Sequence, residues 1–211
     1  MDNPILLFLV VFPLLLVVQI YFLVRKMSEP EKMLKPIERG LGPSKEQFIG
    51  GHKAWLDSQN LDWLTCFQFG IVQTAVFQQR GATRFFAFHF HQQKITYEIS
   101  SNFREDSYLE TSTSGNAGMF PARPNVYKQS FPGLTPEQAW ERHLEGEAYL
   151  MQKFGLSLEP LNQPYEQKLL GALRMTMMYV RSIPFYPFRA LYWFFVTRFA
   201  MRNKSIQQQF P

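Results

Sequence analysis

The sequence is poor in the residues that most often carry chemistry. It holds one cysteine, Cys66, so no disulfide can form within the chain, which suits a reducing compartment. It holds four histidines, with no His-Glu-x-x-His and no paired-Cys pattern among them. No Gly-rich phosphate loop and no Gly-x-Ser-x-Gly elbow occurs, and no internal repeat or low-complexity stretch is present. These absences remove the common signatures of nucleotide binding, serine hydrolysis and structural zinc. No catalytic residue and no cofactor is expected on this ground.

Charge is missing from one stretch altogether. Between Asn3 and Val24 there is no Asp, Glu, Lys or Arg, and Ile5 to Val24 is almost wholly aliphatic or aromatic, broken only by Pro13 and Gln19. Twenty helical residues at about 1.5 Å each span about 30 Å, the thickness of a bilayer core. Residues 1–26 therefore read as a transmembrane anchor. A cleaved signal peptide fits poorly, because Met1-Asp2-Asn3-Pro4 carries an acid and no base, and no small-residue cleavage site follows. Arg25, Lys26, Lys32, Lys35 and Arg39 come after the apolar run. Basic flanks stay inside, so the sequence predicts a single-pass membrane protein with the bulk of the chain on the cytoplasmic side. Ile5, Leu14 and Tyr21 are expected to touch lipid, with Arg25 and Lys26 at the boundary.

Residues 27–43 are charged and rich in Pro and Gly and read as a linker. Residues 44–160 read as an α+β domain. Ser44 fits an N-cap for a helix to about Asp57, with Phe48, Ile49 and Trp55 as its buried stripe. The run 66–77 alternates, with Phe67, Phe69, Ile71, Ala75 and Phe77 apolar, and predicts one half-buried strand containing a bulge at Gly70. Phe86, Phe88 and Phe90 share one face of the next strand, while Ala87, His89 and His91 share the other. Ile95, Tyr97 and Ile99 mark a third strand, and residues 108–113 a fourth. Short connections imply an antiparallel meander of about four strands. Residues 115–134 read as a long Gly/Pro-rich loop. Thr135-Pro136-Glu137-Gln138 is a capping-box signature opening a helix that ends at Gly155. Trp140, His143 or Leu144, Ala148, Tyr149 and Met151 are its expected inner face, laid across the phenylalanines. Glu137, Glu141, Glu145 and Glu147 form its acidic side. The expected fold is thus a β-meander flanked by two helices, preceded by one transmembrane helix and followed by a basic, aromatic helical tail.

The tail, 161–211, carries the chain's positive charge: from residue 165 onward there are seven bases and the single acid Glu166. Leu169, Leu173, Met177 and Val180 recur at helical spacing. After a break at Ile183–Pro187 a second helix runs from Phe188 to about Met201. Its aromatic run, including Trp193 and Phe194 between Arg189 and Arg198, is too short to span a bilayer without burying an Arg. Aromatics flanked by Arg suit the lipid headgroup boundary, the alternative being packing on the domain or on a second copy. The bases are interleaved with apolar runs rather than clustered, so no nucleic acid is expected.

Candidate chemistry is thin. His89-x-His91 places two imidazoles on one strand face, and His143 and Glu147 share a helix face. Together the four could make a metal site of the kind a hydrolase uses, if they met. They meet only if the capped helix packs on the histidine face rather than the phenylalanine face. Cys66 with a histidine base is the other chemical possibility, against a plain half-buried thiol. Three functional readings follow: a membrane-anchored, non-catalytic binding or scaffolding module; a lipid or apolar-ligand domain enclosing a pocket above the phenylalanine face; and a metal-dependent hydrolase. The implied partners are the lipid bilayer and either a protein or an apolar ligand.

Overall fold

The structure, a computed structural model, describes residues 4–115, 120–160 and 163–211, with side chains described from residue 11 onward. The helices are α1 (Pro4–Met27), α2 (Pro43–Gly51), α3 (Lys53–Ser58), α4 (Pro136–Phe154), α5 (Tyr165–Ser182), α6 (Tyr186–Tyr192), α7 (Arg198–Met201) and α8 (Ile206–Gln209). The strands are β1 (Leu34–Pro36), β2 (Leu61–Phe69), β3 (Val72–Gln79), β4 (Arg84–His91), β5 (Lys94–Asn102), β6 (Tyr108–Ser112) and β7 (Val126–Ser130).

The α+β class holds, but among the described residues the sheet has seven strands in sequential order rather than about four. Three local causes account for the difference. First, the run 66–77 is two strands. Gly70 takes φ +60° and Phe69 pairs with Val72, so Gly70-Ile71 is a two-residue hairpin turn, not a bulge. Ile71, apolar by type, sits at the tip and is 74% exposed. Second, the expected linker 27–43 contributes β1, which pairs with the end of β2 through Leu34 and Phe69. Third, the expected loop 115–134 contains β7, which runs parallel to β6 from Tyr108/Val126 to Ser112/Ser130. That pair breaks the antiparallel meander, and the connecting residues 113–125 supply the long crossover that parallel strands need.

The helix expected over 44–57 is interrupted at His52, and Gly42 with Pro43 starts it in place of Ser44. The capped helix behaves as expected: Thr135 accepts from the Gln138 amide and the Gln138 side chain returns to Thr135, while Gly155 ends α4 with φ +65°. Its buried face is Ala139, Trp140, His143, Gly146, Glu147 and Leu150. Ala148 and Met151, expected inward, face out.

Helices α2–α4 cover one side of the sheet. There Phe86 and Phe88, both 0% exposed, meet Trp55, Phe48 and Trp140. Ring centroids are 5.1 Å apart for Trp55–Phe86 and 5.9 Å for Phe48–Phe88, in the edge-to-face arrangement that aromatic quadrupoles favour. The other side is covered by α5. Tyr165 and Leu169 pack on Phe67, Val76, Phe85 and Ala87, using the stripe legible in the sequence. The C-terminal half of α1 lies against α5 and α6, burying Val24 with Met177, Val180 and Phe120.

After α6 a single π-helical turn, Trp193–Thr197, leads into α7. The chain then returns to the domain. Asn203 donates to the Ser130 carbonyl at 2.8 Å, and Ile206 is fully buried with Phe103, Leu109 and Leu150. Among the described residues no helix is long and apolar enough to cross a membrane. The first six residues of the apolar run, Ile5 among them, have side chains outside the described set.

Candidate functional site

The four residues proposed for a metal are split between the two faces of the sheet. His143 and Glu147 project from α4 into the layer beneath the phenylalanine face. His89 and His91 point to the opposite face. The hydrolase geometry is therefore not formed, and no group of three metal-ligating side chains is found among the described residues. The cause is strand parity: Phe86, Phe88 and Phe90 turn toward α4, which forces His89 and His91 away from it.

His143 and Glu147 belong instead to a sealed polar network. Arg84 grips Glu147 with two nitrogens, Nε to Oε2 at 2.8 Å and Nη2 to Oε1 at 2.5 Å. Ser101 donates its only hydroxyl proton to Glu147 at 2.5 Å, so it must accept from His143 Nε2 at 2.8 Å. Nδ1 is then the acceptor, and Thr111 donates to it at 2.8 Å while accepting from Gln129. The chain Gln129–Thr111–His143–Ser101–Glu147 thus fixes one neutral tautomer. A Ser–His contact can suggest a nucleophile, but Ser101, Thr111 and His143 are all 0% exposed, out of reach of any substrate. Glu147, expected on a solvated acidic side, is 3% exposed, whereas Glu141 and Glu145 do face solvent. Cys66 is half-buried and burial pushes its thiol up, away from the thiolate a nucleophile needs.

A feature with room for a ligand lies on the other face. Between the sheet and α5 is a cavity of about 620 Å³. One wall is apolar: Phe67, Phe69, Val72 and Phe85 from the sheet, with Leu169, Leu173 and Met177 from α5. The floor over β5–β7 is polar, with Thr96, Glu98, Ser100, Glu110, Ser112 and Lys128. Period-two alternation sets this floor, because the apolar alternates Ile95, Tyr97 and Ile99 turn to the core.

The floor's charges are matched across strands. Lys128 meets Glu110, its register partner, at 3.0 Å, and His89 Nε2 lies 3.5 Å from Glu98 while its Nδ1 is 3.0 Å from Thr74. Burial pushes the Glu110 carboxyl up more than Lys128 pulls it down. Burial pushes Glu98 up too, but His89 and Lys128 outweigh it and the net direction is down. For Lys128, burial works against the charge and the surrounding Glu110, Tyr108 and Glu98 reverse it, so the ammonium is strongly retained. Burial, with Glu98 and Glu110 nearby, also raises the Tyr165 phenol far above its ordinary range, keeping it a neutral donor.

Sequence patterning alone does not single out Glu98, Glu110, Lys128 or Tyr165. Alternating polar residues on β5 read as a solvent face. The only signal to the contrary was the apolar stripe on α5, which required a partner surface.

The expected membrane-contact residues fall into two groups. Leu14 and Tyr21 are 53% and 43% exposed, and Arg25, Lys26 and Arg189 face outward. Tyr21 also stacks on Tyr186 at 6.5 Å. Trp193 and Phe194 are half-buried, and the outward positions are their neighbours Tyr192, Phe195, Val196 and Phe199. Arg198 lies over the rings of Phe194 and Phe199, at 3.9 and 4.6 Å from their centres.

The fold and site define an α+β domain with a sheet covered by helices on both sides and a ligand-sized cavity on one of them. The chain matches no family model, no curated protein and no solved structure.

The sealed network generates a prediction. Burial holds the His143 imidazole well below its ordinary value, at about 3, with Arg84 adding to the effect and Glu147 opposing it. In the unfolded chain the same group takes a proton near about 6.5. Protons therefore favour the unfolded state, so this contribution is complete above about pH 6.5 and is lost as pH falls toward about 3. The urea midpoint should drop between about pH 7.5 and about pH 5.5, and His143→Gln should flatten that drop. Equal slopes for the two proteins would contradict the assignment.

Proposed function

We propose that the protein is a membrane-anchored, non-catalytic binding module whose ligand is an amphiphile held between the sheet and α5. The observation that carries this reading is the cavity itself. A volume of about 620 Å³ is on the scale of sites for small ligands, and its apolar wall and polar floor suit a molecule with a greasy part and a hydrogen-bonding head. The pocket expected above the phenylalanines is a different place, since Phe86, Phe88 and Phe90 are buried in the core.

Two surface features support the membrane part. The uncharged run from Asn3 to Val24 is long enough to span, and its described residues Phe12, Leu14, Leu15, Val18 and Phe22 are 46–59% exposed. The tail packed beside it turns Phe185, Phe188, Tyr192, Phe195 and Phe199 outward, 50–80% exposed, among the basic residues of the tail. So large an apolar area on two adjacent elements is unusual for a free surface, and aromatics with Arg suit a bilayer boundary. The basic residues that follow the apolar run support a cytoplasmic side for the domain.

The ligand reading is tested with full-length protein in mild detergent and a fluorescent fatty-acid probe. Binding should saturate at one probe per chain. Leu173→Trp, which fills the cavity from α5, should weaken it at least about tenfold while leaving thermal unfolding near the wild-type temperature. No saturable binding, together with no co-purified amphiphile in native mass spectrometry, would refute it.

The tail's contribution is tested separately. Removing residues 1–19 keeps the Ile20–Met27 segment that packs on α5. The shortened protein should still sediment with anionic vesicles, and do so less as salt rises. Its complete recovery in the supernatant at low salt would dismiss the interfacial role of the tail.

A further inference from the structure

Resting on that reading, the structure also points to where the ligand comes from. Met27 is the last residue of α1, and Met177 lies on α5. Both line the cavity, and both belong to the apolar cluster of Ile20, Leu23, Val24, Phe120 and Val180 that joins α1 to α5. Val24 is 0% and Met177 1% exposed. Apolar packing thus runs without a polar break from the helix expected in the bilayer to the cavity wall. The cavity lining has a different character at the β4–β5 turn, where exposed Lys94 stands beside its register partner His91.

We propose that the occupant is a single-chain membrane lipid, a fatty acid or lysolipid, that passes directly from the bilayer into the cavity through the seam between α1 and α5. Three observations fit this occupant. The cavity is on the scale of one small ligand rather than a two-chain lipid. Its apolar wall begins at the seam, at Met27 and Met177, and continues along Leu173 and Leu169 to Phe67 and Phe85. The polar floor offers hydroxyls and the Lys128–Glu110 pair to a head group. A chain using the seam stays in contact with apolar atoms throughout, whereas entry from the solvent beside Lys94 would require each methylene to cross water.

The test reconstitutes the full chain into phosphatidylcholine vesicles containing a lysophosphatidylcholine with a diazirine on its acyl chain. After illumination, adducts are mapped by mass spectrometry. Adducts are expected at Leu173, Met177 and Phe67 inside the cavity, besides those on the outward face of α1. Leu23→Lys places a charge in the seam at a residue that does not line the cavity. It should lower the inner adducts from vesicles at least fivefold and leave labelling in detergent solution unchanged. Inner adducts undiminished by Leu23→Lys would overturn the seam and assign uptake to the water-facing side. Adducts confined to the outer face in vesicles, with the cavity labelled in detergent, would overturn the bilayer source and leave the binding reading standing. A cavity unlabelled under both conditions would remove both.

Discussion

The aromatic contact between β4 and the helices α2–α4 is the constraint from which the rest of the molecule follows. Phe86 and Phe88 are wholly buried, and their rings meet Trp55, Phe48, Tyr97 and Trp140 at centroid distances of 5.1–6.4 Å. Each such side chain contributes about 1.5–3 kcal/mol on leaving water. A one-residue slip of β4 would turn all three phenylalanines out and bring His89 and His91 in, so the register is strongly held. Once it is held, the opposite face receives Ala87, His89 and His91, and the antiparallel pairing carries Thr96, Glu98 and Ser100 to the same side. The polar floor of the cavity is thus the obligatory reverse of the dry core.

That reverse face could not stay bare, because it also carries Phe67, Val76 and Phe85. Helix α5 covers these, and where its stripe runs past the apolar strands onto β5–β7 the two surfaces no longer match. Leu173 and Met177 face toward serines, a threonine and carboxylates, and the mismatch leaves space. An apolar helix over a half-polar sheet is a poor core and a suitable cleft for a molecule that is itself half apolar. The pairing of Glu110 with Lys128 and the approach of His89 to Glu98 keep the floor's charges from standing alone in that enclosed setting.

How much of this was readable depended on whether the signal was local. The capping box at Thr135–Gln138, the αL glycine at 155 and the alternation of β4 and β5 are written within a few residues and appear as read. The stripe on α5 was legible too, but its partner was not, since nothing in a helix names the surface it will cover. Gly70 shows the limit of periodicity. Odd positions stay apolar across a two-residue turn, so one long strand and a hairpin share a pattern. Strand β7 was hidden because parallel pairing with β6 leaves no hairpin signature, only a long Gly/Pro-rich crossover. Glu147 reads as a solvated glutamate or a metal ligand, and its true partner Arg84 is distant in sequence.

The central claim is that the space between α5 and the polar half of the sheet exists to be filled by an amphiphile. The most direct measurement is an experimental structure of the full chain purified from cells without delipidation. It should show one continuous elongated density lying along Leu169, Leu173 and Met177, with a polar end over Glu110 and Lys128. A cavity collapsed by closure of α5 onto β5–β7, or filled only by separate ordered waters, would contradict the account.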